Sequence, residues 1–408
     1  MQNKLSEFLQ TRIDAGDFPS AVYLVAEKDE IVFHDALGYA VVEPEKIEAR
    51  LDTIYDLASL TKPLVTGMLC ARTIEAGSLN LDDGLSVSHT AFADGHHGAT
   101  TIQNLAVHTA GLKAWAPLYL LSSSLLSVPA VVASLPMEAS SEIRVVYSDL
   151  NFVALGLIVE TCRHGQRIDL AAHEEIFEPL GLERTLFNPS IENWEQISNL
   201  GGERIVAASE NGNQYEKQMC IEQGFLCDPN NHPDAKAVPL PDNEVSLKTE
   251  NRNPQSAIRN RLIWGEVHDG NAYFMGGVAG HAGLFSTAEE VFRIAQQFVP
   301  NYTQLLKPET CELFRTNFTK GMNEDRSFAF QLASTEGSTA GTKMSPESFG
   351  HNGFTGTSLW IDPIKERVFV LLTNRTHNHP LPFVNINSVR RGFHDLAIDM
   401  LVGRNAGS

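Results

Sequence analysis

The sequence predicts an α+β fold, an α/β sandwich in which one antiparallel sheet is built from both ends of the chain. Runs rich in β-branched and aromatic residues lie at residues 21–34 and again at 327–373, and both are typical of strands. Between residues 80 and 265 such runs are sparse, and helical or loop-like patterns take their place. Strands at both ends of a helical middle indicate that the middle is inserted into a single sheet flanked by helices.

The predicted domain boundaries follow from this pattern. Residues 1–52 and 270–408 are expected to form the antiparallel sheet domain with its flanking helices, and residues 53–269 the mostly helical domain. The helical domain includes a segment at about 201–262 that is rich in Asn, Glu, Pro and Arg and that we expect to be an extended surface segment or an insertion. A chain of 408 residues, 43% hydrophobic and 20% charged, is long enough for two such domains.

The N-terminal elements are predicted to be a helix and a β-hairpin. Apolar residues recur at helical spacing over residues 3–15 and stop near Gly16, which predicts an amphipathic helix. Two strand-like runs follow at 21–26 and 31–34. The polar stretch between them, residues 27–30, fits the turn of a hairpin.

A helix of about five turns is predicted from Leu60 to Gly77, because apolar residues recur there at intervals of three or four. Pro63 is tolerated only in the first turn of such a helix. This places Ser59 at the N-terminal end, with Lys62 on the same face one turn later. A serine hydroxyl becomes a useful nucleophile only beside a group that activates it, and this spacing makes Lys62 the candidate activator of Ser59.

The later elements continue the pattern. An apolar helix is predicted over residues 151–160, with Ser148 or Asp149 as its cap. A capping box at residues 286–290 predicts the start of another helix. The remaining predicted elements are the strands of an antiparallel meander at 327–332, 356–361 and 367–373 and a last helix at about 389–402.

Composition excludes several classes of function. The formal net charge of −19 argues against a nucleic-acid surface, which needs clustered Lys and Arg. The glycine-rich stretch at 276–285 lacks the spacing of a phosphate-binding loop. Five scattered cysteines without a C-x-x-C pair predict free thiols, and neither they nor the histidines show a metal-ligand pattern. We therefore expect no metal and no cofactor.

The N-terminus bears on cellular location. Residues 1–10 are amphipathic and polar, without the apolar region or the small-residue cleavage site of a signal peptide. From the sequence as it stands, we expect a soluble cytoplasmic protein that does not bind membranes.

Three short stretches carry the functional signal, and they occur in the order Ser59-Leu-Thr-Lys62, Tyr147-Ser-Asp149 and His351-Asn-Gly353, the last expected to enter a strand. Together they resemble the S-x-x-K, Y-x-N and K/H-x-G motifs of the serine β-lactamase and penicillin-binding-protein superfamily, in particular its class C β-lactamase-like and esterase branch. A single short motif arises easily by chance, so the order and spacing of all three carry the resemblance. It covers nearly the whole chain and implies a β-lactamase/transpeptidase-like fold.

The resemblance also implies a mechanism. Ser59 attacks a carbonyl, Lys62 and Tyr147 move protons, and water later hydrolyses the acyl-enzyme. An ammonium beside a phenol favours the ionised form of the phenol, so Tyr147 is a plausible proton acceptor. By the same resemblance, the backbone N–H groups of Ser59 and Phe354 hold the oxyanion, and Gly353 lets the substrate approach the strand edge closely.

Two residues depart from the family pattern. Asp149 stands where the family has Asn, and its carboxylate is expected to hold Lys62 protonated; whether Lys62 or Tyr147 is the principal base stays open. His351 replaces the strand lysine and is mostly neutral at pH 7, so it attracts a substrate carboxylate less strongly. This favours ester or amide substrates without a strict requirement for a carboxylate.

The predicted function is that of a β-lactamase-like serine hydrolase that cleaves ester or amide bonds, β-lactams included, through an acyl-enzyme on Ser59. One alternative is a D-amino-acid peptidase or carboxypeptidase acting on peptides derived from the cell wall. A second alternative is a non-catalytic binding module of the same fold, since a fold alone does not establish activity. The expected partner is a small-molecule ester, amide or β-lactam rather than a nucleic acid.

Four further residues have predicted supporting roles. His108 and His281 are expected to form hydrogen bonds within the scaffold, and Ser148 is expected to be structural. Trp115 is expected either to line a pocket or to pack in the core.

Overall fold

The computed structural model describes residues 4–93, 97, 100–139, 143–189, 206–226 and 257–405. The α-helices in these ranges are α1 (Lys4–Asp14), α2 (Met68–Glu75), α3 (Leu85–Ser88), α4 (Ile102–Ala106), α5 (Leu118–Leu121), α6 (Val128–Ser134), α7 (Asp149–Cys162), α8 (Ile168–Ala172), α9 (Gln214–Glu222), α10 (Gly270–Phe274), α11 (Ala288–Gln296) and α12 (Asn387–Asn405). The strands are β1 (Ser20–Glu27), β2 (Glu30–Val41), β3 (Ile47–Glu48), β4 (Tyr55–Asp56), β5 (Leu186–Phe187), β6 (Leu284–Ser286), β7 (Arg326–Ser327), β8 (Phe330–Leu332), β9 (Phe349–Asn352), β10 (Ser358–Asp362) and β11 (Arg367–Thr373).

The main sheet has eight strands in the order β3-β2-β1-β11-β10-β9-β8-β7, and every pair is antiparallel. Its strands come from the N-terminal part of the chain, which supplies β1 to β3, and from the C-terminal part, which supplies β7 to β11. The two parts meet where β1 pairs with β11, with Ala21 opposite Thr373 and Glu27 opposite Arg367. The predicted sheet built from both chain ends is therefore confirmed.

Helices cover both faces of this sheet because its central strands are apolar on both sides. Successive side chains of a strand point to opposite faces. Val22 and Leu24 of β1 pack in the large core with residues of α2, α7 and α11, whereas Tyr23 and Val25 pack in a second core with α1 and α12. Each fully buried aliphatic side chain of this kind contributes about 1.5–3 kcal/mol. The predicted α/β sandwich is confirmed.

A second, three-stranded sheet positions the segment around Ser59. Its order is β4-β6-β5, so β4, which ends three residues before Ser59, is fixed to β6. In this small sheet, β4 and β5 come from the predicted helical domain and β6 comes from the predicted sheet domain. The boundaries of those domains remain a prediction.

The predicted helix after Ser59 forms, but it begins irregularly. A 3-10 turn at Ala58–Leu60 is followed by a π-helical stretch at Lys62–Gly67, and regular α-helix begins only with α2. Segments of π-helix are rare and occur frequently at functional sites. The nucleophile segment is thus continuous with α2 but differs from it in backbone geometry.

Two predictions about the C-terminal strands are wrong in detail. Residues 327–332 form a hairpin of β7 and β8 rather than one strand, because Ala329 adopts a φ of 64° and turns the chain. His351 lies near the end of β9, so the His351-Asn-Gly353 motif leaves a strand instead of entering one. The chain turns at Gly353, whose N–H donates to Thr357 O at 2.8 Å before β10 begins.

The prediction of a surface segment at 201–262 is wrong for the part that the structure describes. Residues 206–226 include α9, and the side chains of Glu210 and Glu216 are buried. Burial is tolerated because Glu210 accepts a hydrogen bond from His268 and Glu216 accepts one from a backbone N–H. Residues 201–205 and 227–256 lie outside the described residues.

The structure describes four cysteines, and all of them are free thiols. Three are buried, Cys70, Cys220 and Cys311, and Cys162 is half-buried. Cys227 lies outside the described residues. Among the helices that the structure describes, none combines the length and the apolar character needed to cross a membrane.

Candidate active site

The candidate nucleophile Ser59 follows a residue with a strained backbone. Ala58 has a φ of 47°, a left-handed conformation that side chains other than glycine rarely adopt. Two hydrogen bonds hold it: the Ala58 N–H donates to Asp56 Oδ1 at 2.8 Å, and Thr61 Oγ1 donates to Ala58 O at 2.7 Å. Such conformations persist only where the surroundings over-determine them. The turn therefore presents Ser59 in one fixed orientation.

Neighbouring segments clamp the same turn from two sides. The other carboxylate oxygen of Asp56, Oδ2, accepts from the backbone N–H of His268 at 2.8 Å. On the opposite side, Thr355 Oγ1 donates to Asp56 O at 2.7 Å and Thr357 Oγ1 donates to Leu57 O at 3.0 Å. The turn between β9 and β10 is thus fixed against the nucleophile turn.

Lys62 lies directly beneath Ser59 with no exposed side-chain surface. Its Nζ donates to Ser59 Oγ at 2.8 Å, to Asp149 Oδ1 at 2.7 Å and to His281 O at 3.3 Å. Burial lowers the pKa of Lys62, but the charge of Asp149 and the interaction with Tyr147 outweigh burial and leave the pKa raised. Lys62 is therefore an ammonium ion whose three N–H groups all have acceptors.

Tyr147 lies over the charged end of Lys62. The centre of its ring is 5.0 Å from Lys62 Nζ and 5.4 Å from the guanidinium carbon of Arg326. The rings of His108 and His351 flank it, with centroids at 4.6 and 5.7 Å. Two cations and two aromatic rings thus hold the phenol next to the Ser59–Lys62 pair.

His351 is buried and neutral. Burial, followed by the positive charges of Lys62 and Arg326, holds its pKa well below the usual range. Its Nδ1 lies 2.9 Å from Asn352 O, so this nitrogen carries the proton and donates. Within the described residues Nε2 is buried and has no hydrogen-bond partner, and the His351 residue lines a cavity.

Two backbone N–H groups are available for an oxyanion. In the described part of the chain, neither Ser59 nor Phe354 donates its N–H to a protein acceptor. Gly353 brings them close together, because a Cβ at this position would lie 2.5 Å from Leu57 O and 3.4 Å from the Cβ of Ala58. The glycine therefore accommodates the nucleophile turn itself, a different reason for its presence from the substrate contact that the sequence suggested.

A cavity of about 460 Å³ opens above Ser59. It is lined by six of the seven residues that the sequence predicted for the site: Ser59, Tyr147, Asp149, His351, Gly353 and Phe354. The seventh, Lys62, is buried beneath them. Trp115 lines the cavity and also packs against the large core, so both roles considered for it are present.

Besides Arg326, two arginines of this cavity, Arg375 and Arg390, were missed by sequence reasoning. Arg390 of α12 donates through Nη2 to Gly353 O and Thr357 O, both at 2.9 Å, and burial lowers its pKa to about 9. Arg375 donates through Nε to Phe354 O at 2.7 Å. Neither forms an ion pair with a carboxylate among the described residues. Single arginines far apart in sequence follow no spacing rule, so no pattern marked them.

An acidic network behind the site was also missed. His268 Nε2 bonds to Glu210 Oε2 at 2.8 Å, and His281 Nε2 bonds to Asp269 Oδ1 at 2.9 Å. Glu216 lines the cavity, and burial together with the nearby charge of Asp269 raises its pKa to about 7. The network supports the site from below, since His281 also supplies the carbonyl that accepts from Lys62.

The predicted scaffold roles of His108, His281 and Ser148 agree with the structure. His108 Nδ1 accepts from the backbone N–H of Ser148 at 3.1 Å, and Ser148 Oγ donates to Lys113 O at 2.5 Å. Ser148 is the N-terminal cap of α7 by position, but its hydroxyl is used elsewhere. Across the described residues, no group of three or more His, Cys, Asp or Glu side chains is arranged to hold a metal ion.

Comparison with known sequences identifies a family. The model of the family described as Beta-lactamase matches residues 5–390. A protein of Escherichia coli (strain K12) named "Putative D-alanyl-D-alanine carboxypeptidase" is 29% identical over 401 residues, which cover 92% of this chain and 82% of that protein.

Comparison with solved structures identifies the same fold. "EstCE1, a hydrolase with promiscuous acyltransferase activity" superposes with a TM-score of 0.67 at 21% identity and covers 97% of both chains. A class C beta lactamase superposes with a TM-score of 0.64 at 13% identity, again over 97% of both chains. At these identities the likeness shows the fold, and it agrees with the β-lactamase/transpeptidase-like fold expected from the three motifs.

Proposed function

The chain belongs to the beta-lactamase family and is a serine hydrolase, and we propose that it cleaves ester or amide bonds, β-lactams included, through an acyl-enzyme on Ser59. One observation carries the assignment: Lys62 Nζ donates to Ser59 Oγ at 2.8 Å at the base of an open cavity. The uncommitted N–H groups of Ser59 and Phe354 lie at the same cavity. Nucleophile, cation and oxyanion donors thus converge on one place where a carbonyl fits.

Acylation follows from this arrangement. Ser59 Oγ attacks the carbonyl carbon, and the N–H groups of Ser59 and Phe354 stabilise the charge that develops on the carbonyl oxygen. Lys62, already protonated, stabilises negative charge on Oγ and has no lone pair to accept the serine proton. The phenolate form of Tyr147, held beside Lys62, accepts that proton to become a phenol and then passes it to the leaving group.

The nucleophile is tested by intact-protein mass spectrometry after incubation with a fluorophosphonate and with benzylpenicillin. The wild type should gain one adduct, and the Ser59→Ala variant should gain none. Equal labelling of both proteins would refute the assignment, and labelling of the wild type would exclude a purely non-catalytic binding module. Comparing kcat/KM for p-nitrophenyl esters, nitrocefin and D-alanyl peptides then ranks the substrate classes.

A second candidate function is favoured by Arg375 and Arg390. Both line the cavity beside the proposed oxyanion donors and lack a carboxylate partner in the described part of the chain. A guanidinium is well suited to bind a carboxylate, so a peptide with a free C-terminus would complement this wall. The name of the Escherichia coli relative points to such a substrate. We therefore propose D-alanyl carboxypeptidase activity as the second candidate. The two arginines supply the positive charge for a substrate carboxylate that the neutral His351 lacks.

These two functions are separated by a matched pair of substrates. The same acyl-D-Ala-D-Ala peptide is offered with a free C-terminal carboxylate and as its C-terminal amide. A preference of at least tenfold in kcat/KM for the carboxylate, about 1.4 kcal/mol, would support the carboxypeptidase. Equal kcat/KM for the carboxylate and the amide, together with faster turnover of esters, would support the esterase instead.

A further inference from the structure

The acyl-enzyme proposed above must be hydrolysed, and the structure narrows the choice of base for that step. Water attacks an acyl group efficiently only when a nearby group takes its proton. Lys62 cannot take it, because it is an ammonium whose N–H groups face Ser59 Oγ, Asp149 Oδ1 and His281 O. Its role is that of a proton donor and a fixed positive charge.

The Asp149 carboxylate is linked to the nucleophile through one shared donor, because Lys62 Nζ donates to both of them. Asp149 is the first residue of α7, and its backbone N–H donates to Ala114 O at 2.9 Å, which fixes its position. Oδ1 accepts from Lys62 Nζ at 2.7 Å, which in turn donates to Ser59 Oγ at 2.8 Å. The distance from Oδ1 to Oγ therefore cannot exceed the sum of those two, about 5.5 Å.

The other carboxylate oxygen of Asp149 is open to the cavity. The side chain is 21% exposed and lines the same cavity as Ser59. Within the described residues, Oδ2 forms no hydrogen bond. A separation of at most about 5.5 Å between Oδ1 and Ser59 Oγ is short enough for one water molecule to contact both the carboxylate and an ester on Ser59, with each contact about 2.8 Å.

We propose that Asp149 is the general base of deacylation, a role that rests on the acyl-enzyme at Ser59. A water O–H bond breaks, its proton passes to Asp149, and the water oxygen bonds to the acyl carbon. The bond between that carbon and Ser59 Oγ then breaks, and Lys62 gives a proton to Oγ. Asp149 returns the water proton to Lys62, which leaves a serine hydroxyl, an ammonium, a carboxylate and the free acid.

Other groups at the cavity are rivals for this role. Besides Tyr147 and His351, the other acidic and imidazole groups that line the cavity are Glu216, Asp269 and His268, and each is already hydrogen-bonded, to the Gly270 N–H, His281 and Glu210 respectively. Tyr147 is assigned to the acylation step, and its ring lies over Lys62. His351 Nε2 has a free lone pair, but the positive charges of Lys62 and Arg326 make this imidazole a poor acceptor of a proton. Asp149 alone combines a negative charge, an open oxygen and a direct bond to the ammonium that must reprotonate Ser59.

The test uses Asp149→Asn, which keeps the size of the side chain and an oxygen that can accept from Lys62. With a p-nitrophenyl ester, this variant should still release a stoichiometric burst of p-nitrophenol. Steady-state turnover should fall about 100-fold or more, the usual contribution of a general base. Intact mass spectrometry should then find the acyl adduct on Ser59 in the variant but little in the wild type.

A second arm separates a base from a residue that only positions Lys62. Hydroxylamine is a strong nucleophile that needs little help from a base, so it should release the acyl group from the variant nearly as fast as from the wild type. Glu289→Gln, which removes an exposed carboxylate of α11, is the control for loss of one negative charge. It should deacylate like the wild type.

The outcomes are distinguishable. An adduct that turns over in Asp149→Asn as fast as in the wild type would overturn the inference, and so would a slowed burst with no accumulating adduct. The absence of any adduct on the wild type would instead defeat the proposed function. If Asp149→Asn fails to fold, Asp149→Glu, which keeps the charge but moves the carboxylate by one methylene, should show a normal burst and slow deacylation; normal deacylation would overturn the inference.

Discussion

Removing the charges of Lys62 and Asp149 one at a time and together should reveal a strongly coupled ion pair. The two side chains meet at 2.7 Å, Lys62 is fully buried, and Asp149 is 21% exposed. Asp149→Asn leaves a buried ammonium without a counter-charge but with one amide acceptor. We expect a loss of about 3 kcal/mol in the free energy of unfolding, at the low end for a broken buried pair.

The reverse substitution should cost less. Lys62→Met leaves Asp149 unpaired, but this carboxylate reaches solvent, so the expected loss is about 1–2 kcal/mol. In the double variant neither charge remains, and an apolar side chain fills the space of Lys62. We expect the double variant to lie within about 1–2 kcal/mol of the wild type, which gives a coupling energy of about 3 kcal/mol.

The assay is urea unfolding followed by circular dichroism at pH 7 for all four proteins. The sign of the pH dependence supports this choice of pH. The pKa of Lys62 is raised in the folded state, so its pairing stabilises the fold fully below the ordinary lysine pKa of about 10.4 and is lost only as pH rises through the folded value. If the loss of the double variant equals the sum of the two single losses within about 0.5 kcal/mol, the two charges do not depend on each other and the expected coupling is absent.

Three further predictions concern the cavity. Glu216→Gln should gain stability relative to the wild type as pH rises from 5 to 8, by about 2–3 kcal/mol, because the pKa of Glu216 is raised to about 7 and its ionisation disfavours the folded state; a pH-independent difference in urea midpoints would contradict this. His351→Lys should lower stability by about 2 kcal/mol, since Lys62 and Arg326 already disfavour positive charge there, whereas the neutral His351→Gln should lower it less; the comparison fails if the two variants unfold at the same urea concentration. Arg390→Met should reduce kcat/KM about 10- to 100-fold more for a D-alanyl peptide with a free carboxylate than for its amide; an equal reduction for both would show that Arg390 only holds the turn at Gly353.

The parts of the fold that follow local rules could be predicted from the sequence. The continuous apolar runs at β1 and β11 predicted strands, and such runs are expected where both faces of a strand are covered, as they are here. Pro63 and the spacing of Ser59 and Lys62 fixed the nucleophile at a helix start, and the Lys62 Nζ to Ser59 Oγ contact at 2.8 Å agrees with that expectation. Short-range periodicity and helix-start chemistry determine such features.

The rest depends on contacts between residues distant in sequence. Residues 206–226 looked like a surface segment because Glu210 and Glu216 are polar, and only His268 and the start of α10, some 55 residues later, make their burial possible. Arg390 likewise lines the cavity because α12 packs beside the turn at Gly353, and Arg375 does so while bonding to Phe354 O in the same turn. The left-handed Ala58 could not be foreseen either, since a hydrogen bond from its N–H to Asp56 and one from Thr61 to its carbonyl hold an ordinary residue in this conformation.

Peptide mapping can locate the acyl group that we propose to form on Ser59. Wild type and Ser59→Ala are mixed with a p-nitrophenyl ester, quenched in acid within the first turnovers, digested with a protease and mapped by tandem mass spectrometry. We expect an acyl group on the peptide that contains Ser59 in the wild type and an unmodified peptide in the variant. An acyl group on any other residue, or undiminished ester turnover by Ser59→Ala, would contradict this expectation.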